Sequence, residues 1–143
     1  MSLVPVAGTL AALLTLPAAP ALATLGEQYA PARGLAPSAA PAPTFIAHPR
    51  LLASGTRIVE YVNGEGTVFA VSWTGPFLPD LRDLLGRHFA ALVLQQARDS
   101  HLHAPVVVRD GEVVIYTSGG MGAFDGRAWL PRSVPAGFDP RAL

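Results

Sequence analysis

Thr56-Arg57-Ile58-Val59-Glu60-Tyr61-Val62, then Asn63-Gly64-Glu65-Gly66, then Val68-Phe69-Ala70-Val71-Ser72-Trp73, is the stretch that decides the fold. The flanking runs are β-branched and aromatic and alternate in polarity, and Asn-Gly between them is turn chemistry suited to joining antiparallel strands. Together they predict a β-hairpin. The two-residue period of a strand puts Phe69, Val71 and Trp73 on one face and Val68, Ala70 and Ser72 on the other. A large face opposite a small one predicts that the Phe69/Val71/Trp73 side lies buried under the next element.

Downstream, Gly75-Pro76-Phe77-Leu78-Pro79 forces the chain out of the strand, and Asp80 is placed to cap a helix. Leu81, Leu84, Leu85, His88, Phe89 and Leu92 then recur at helical spacing, so an amphipathic helix is expected from Leu81 to about Ala97. Asp80 and Asp83 at its start and Arg98 at its end suit the helix dipole. Gly86 inside it costs about 1 kcal/mol against Ala, which suggests a close approach to the sheet. A second hairpin is expected from Pro105-Val106-Val107-Val108, the Asp110-Gly111 turn and Glu112-Val113-Val114-Ile115-Tyr116. The glycines from Gly119 to Gly126 read as a tight turn or bulge rather than an anion cradle, leading to a last strand between Ala123 and Leu130. Upstream, Thr44-Phe45-Ile46-Ala47 reads as a first strand ended by His48-Pro49. The expected fold is α+β: a small antiparallel sheet of two hairpins plus flanking strands, with one amphipathic helix packed across one face.

Outside this body the chain changes character. Residues 1–23 form an apolar run broken by Pro17 and Pro20 and closed by Ala21-Leu22-Ala23, the order of a signal peptide ending in a small-residue cleavage site. No Lys or Arg precedes the run, and the competing reading is an uncleaved membrane anchor, which the two prolines disfavour. Residues 24–43 read as an Ala/Pro-rich linker, residues 44–131 as a single α+β domain, and residues 132–143 as an irregular C-terminal tail. The expectation is an exported protein, periplasmic or secreted, with no transmembrane span in the mature chain.

Composition removes several chemistries. The chain has no cysteine, which excludes disulfides, thiol nucleophiles and thiolate metal sites. All of its basic residues are Arg, so Schiff-base lysines and a phosphate-loop lysine are absent. A formal net charge of +0 makes no electrostatic case for nucleic acid. There is no nucleophile elbow around Ser118, and a triad of Ser118, a histidine and Asp125 has nothing to favour it over a turn. A metal site is conceivable only at Asp99, His101 and His103, where an i, i+2 histidine pair in an extended segment points one way. His88, on the apolar side of the helix, reads as a partly buried histidine bonded to a backbone carbonyl.

The run from Val68 to Leu81 joins strand, sharp turn and helix start without interruption. With Glu60-Tyr61-Val62 before it, Leu84-Leu85-Gly86 and Phe89 after it, and Pro105-Val106-Val107-Val108 later, it resembles an exported proteobacterial family, domain of unknown function 2844. The likeness runs from about Leu25-Gly26 to about Pro135 and implies export and a shared small fold; it supplies no activity, cofactor or catalytic residue. The Ala/Pro-rich linker departs from the more polar segment expected of that family. The functional expectation is a non-enzymatic periplasmic or secreted binding module with no cofactor, its partner an envelope protein or polymer. Tyr61, Tyr116, Arg127 and Trp129 are the candidate binding residues, placed off the helix-covered side. Phe69, Val71, Trp73, Gly75, Pro76, Pro79 and Asp80 are the structural motif. The alternative is a small metal-dependent or hydrolytic envelope enzyme using the histidines after the helix.

Overall fold

The computed structural model describes residues 24–29, 44–99 and 104–143. The leader at residues 1–23, residues 30–43 of the linker, and His101 and His103 lie outside the described residues. Six strands form one antiparallel sheet in the order β1-β2-β3-β6-β5-β4. These are β1 (Phe45–Leu51), β2 (Arg57–Asn63), β3 (Val68–Gly75), β4 (Val106–Arg109), β5 (Val114–Gly120) and β6 (Ala123–Trp129). Helices α1 (Leu81–Leu85) and α2 (Phe89–Arg98), joined by a 3-10 turn at Gly86–His88, cover one face. The fold is therefore α+β, its sheet built from hairpins as the sequence suggests.

Both turns form through the residues that signalled them. Asn63 Oδ1 accepts from the N–H groups of Glu65 (3.1 Å) and Thr67 (3.0 Å), closing the β2–β3 hairpin. Asp110 Oδ1 accepts from Glu112 N (2.9 Å) and Val113 N (2.9 Å), closing β4–β5. Asp80 caps α1 as expected, its Oδ1 accepting from Arg82 N at 2.9 Å and Asp83 N at 3.3 Å.

The core lies between the helices and one sheet face. It gathers Ile58 and Val62 of β2, Val71 and Trp73 of β3, Ala128 of β6, Ile115 of β5 and Val108 of β4 against Leu81, Leu84, Leu85 and Leu92. Phe69 does not join Val71 and Trp73 there. Tyr61 is opposite Ala70 but Val62 is opposite Val68, so the register slips at Phe69. The bulge turns Val68 toward the helix and sends Phe69 to the far face, where its ring meets Phe45 and Phe138. A strict two-residue period cannot anticipate an extra residue.

Three further expectations change. β1 does not stop at His48-Pro49 but runs to Leu51, because it is an edge strand whose outer N–H groups make no ladder bonds. Gly86 makes its close approach to Thr24, not to the sheet: its φ is 53°, and a Cβ there would run into Thr24 Cγ2. Residues 24–29, placed in the linker by composition, are part of the folded body. Leu25 is 1% exposed in the core, and the segment is stitched in by Leu25 N to Leu84 O (3.0 Å), Gly26 N to Val68 O (2.8 Å) and Tyr29 N to Gly66 O (2.8 Å). The Tyr29 ring also stacks on His48 with centroids 4.1 Å apart. On the same side of the sheet, Glu60 is 1% exposed and takes Arg50 Nη2 at 3.1 and 3.2 Å on its two oxygens. That ion pair gives a charged residue at a core position its counter-ion.

Candidate binding face

Strand alternation decides what occupies the sheet face away from the helices. Because Ile58, Glu60 and Val62 point to the helices, Tyr61 between them points away. Tyr61 lies opposite Ala70, Ala70 opposite Trp129, and Trp129 opposite Val114. One step along, Val59 faces Ser72, Ser72 faces Arg127 and Arg127 faces Tyr116. The structure thus brings Tyr61, Tyr116, Arg127 and Trp129 together on the helix-free face.

Arg127 is the organising side chain. Its guanidinium lies 5.1 Å over the centroid of Tyr116, a cation–π arrangement, and its Nη1 donates to the main-chain oxygens of Leu143 (2.9 Å) and Arg141 (3.4 Å). Its Nε is buried and has no partner among the described residues. Tyr61 sits in a ring cluster: Phe138 packs at 5.3 Å from Tyr61, 5.0 Å from Phe45 and 4.8 Å from Phe69, each pair steeply inclined. The C-terminal tail, featureless as sequence, is therefore laid over part of this face, between 3-10 turns at Pro131–Ser133 and Pro140–Ala142. Beside it an open cleft remains, lined by Arg57, Val59, Ser72, Thr74, Asp125 and Leu143. Phe138 was not singled out by sequence reasoning; a lone aromatic in a proline-broken stretch was its only signal.

The catalytic alternative gains no geometry, and of the metal alternative only Asp99 lies among the described residues. Ser118 and Asp125 are direct cross-strand partners, but the described histidines, His48 and His88, lie on the helix side of the sheet. Asp99 is exposed and its carboxylate accepts from Gln95 Nε2 at 3.2 and 3.3 Å. Among the described residues no group of three or more His, Asp or Glu side chains is placed to hold a metal. His88 is buried, and its Nε2 accepts from Arg87 Nε at 3.3 Å rather than bonding a backbone carbonyl. Burial lowers its pKa from 6.5, the Arg87 cation adds to this, and Asp110 and Glu112 oppose it. Asp110 is itself held below its ordinary range, chiefly by the Val113 N–H.

One sheet with helices on one face and a tail-strapped aromatic and arginine surface on the other defines a small α+β domain. The chain belongs to the family described as protein of unknown function (DUF2844), whose model matches residues 19–143. That span takes in both the docked Leu25 segment and the tail, beyond the 44–131 body read from composition. No curated protein and no solved structure matches the chain. Among the described residues no helix is long and apolar enough to cross a membrane.

Proposed function

We propose that this protein is an exported, non-enzymatic binding module of the periplasm or cell exterior, and that it engages an envelope protein or polymer through the helix-free face of its sheet. The observation that carries this reading is the convergence of Tyr61, Tyr116, Arg127 and Trp129 on that face beside an open cleft. Aromatic rings and arginine are the side chains that most often supply binding energy at interfaces, because they offer large contact area and several donors. Export rests on the leader: an apolar run, helix breakers, then Ala21-Leu22-Ala23.

Cell fractionation with N-terminal sequencing tests export: the expected mature chain begins at Thr24 in the periplasm or medium. Full-length protein retained in the cytoplasm would remove it. For binding, capture from the envelope under mild crosslinking at low salt is expected to recover a consistent partner with wild-type protein and to lose it with Tyr116→Ala. No partner, or one indifferent to Tyr116, would overturn the binding role.

A further inference from the structure

We infer that the helix-free face is a peptide-binding surface held in cis by residues 134–143, and that its partner is a peptide bearing an aromatic side chain in place of Phe138. This inference rests on the reading of that face as the binding surface and names the chemistry it takes.

The tail shows what the face recognises. Its one aromatic ring, Phe138, enters the cluster of Phe45, Tyr61 and Phe69, and two of its main-chain oxygens, those of Arg141 and Leu143, accept from Arg127 Nη1. Main-chain oxygens belong to any peptide. The recognition rule is therefore a single aromatic residue followed, three and five positions later, by main-chain oxygens that a guanidinium can reach.

The tail is also built to leave as a unit. Its internal order comes from local turns: Phe138 N to Pro135 O (3.3 Å), Ala142 N to Asp139 O (3.1 Å) and Arg141 N to Asp139 Oδ1 (2.9 Å). It adds no strand to the sheet, so its departure breaks no ladder bond. The last core residue before it, Leu130, is fixed independently by its N–H to Phe69 O at 2.9 Å. Release uncovers three aromatic rings and frees Arg127, whose buried Nε the tail leaves unmet. A tethered segment competes at a high effective concentration, so the wild-type chain masks its own site until a stronger peptide arrives.

The test uses a fluorescently labelled peptide with the sequence of Val134 to Leu143 and a matched peptide with Ala in place of the phenylalanine. Binding is read by anisotropy on full-length wild-type, Phe138→Ala and Phe138→Leu proteins. Phe138→Ala is expected to take the native peptide at least about tenfold more tightly than wild type, and to ignore the Ala peptide. Phe138→Leu keeps an apolar filler in the cluster, so it preserves the fold if the alanine variant does not; it is expected to fall between them. A folded variant that takes no peptide, equal binding by wild type, or equal binding of both peptides would each overturn the inference. The assay needs no envelope and is independent of export. An envelope partner held equally well by wild-type and Phe138→Ala protein would preserve the binding role and overturn this inference.

Discussion

Replacing Leu25 with alanine tests whether residues 24–29, the start of the linker by composition, are structural. The side chain is 1% exposed and packs in the same cluster as Val68, Leu84 and Leu130. Removing three carbons from a closed core site costs about 2–5 kcal/mol, the transfer of the lost atoms plus the cavity left behind. The upper part of that range requires the segment to stay docked, and its main-chain bonds to Leu84, Val68 and Gly66 hold it there. For a domain of this size each kcal/mol moves the melting temperature by about 4–8 °C, so a fall of roughly 8 °C or more is expected. Urea unfolding is the assay, with the midpoint lowered and the slope unchanged. A loss under about 0.5 kcal/mol, the range of ordinary surface substitutions, would refute the docking of residues 24–29.

The remaining predictions concern other joints of the fold. Gly126→Ala is expected to destabilise by about 1–3 kcal/mol in urea unfolding, because a Cβ there runs into the Trp73 indole; neutrality would mean that the indole does not sit over Gly126. Thr56→Val removes the hydroxyl that accepts from Phe77 N (3.3 Å) and donates to Phe77 O (2.6 Å), a loss of about 1–3 kcal/mol, whereas Phe77→Ala, on an exposed side chain, stays within about 0.5 kcal/mol. Because the pKa of His88 is lowered in the folded state, the unfolded chain binds more protons as pH falls below 6.5. Stability is therefore expected to fall from pH 6.5 downward until the folded-state pKa has been passed, and His88→Gln to flatten that slope; an unchanged slope would contradict the assignment. Zinc or chelator is expected to leave the melting temperature of full-length protein unshifted, and a zinc shift lost in His101→Ala would revive the metal reading.

The parts of the fold legible in the sequence were those fixed by local chemistry. Asn63 and Asp110 announce their turns because their side chains make the turn bonds themselves, and Asp80 announces the helix for the same reason. Strand alternation is equally local, and it sets Tyr61, Tyr116, Arg127 and Trp129 on the helix-free side of the sheet. What escaped depends on contacts between distant residues. The bulge at Phe69 is a property of a strand pair, and a short Leu25-Gly26 beside Ala and Pro has no periodicity to betray its burial. Gly86 announced a close approach, but only the fold identifies Thr24 as the neighbour. The tail carries one aromatic among prolines, and its docking follows from the cluster that awaits it.

The most direct measurement places a photo-crosslinking amino acid at Tyr116 on the helix-free face, and separately at Gln96 on the exposed side of α2, in the full chain expressed in its own envelope. The account predicts a discrete adduct from position 116 and none from 96. Adducts from Gln96 alone, or from neither site, would contradict it.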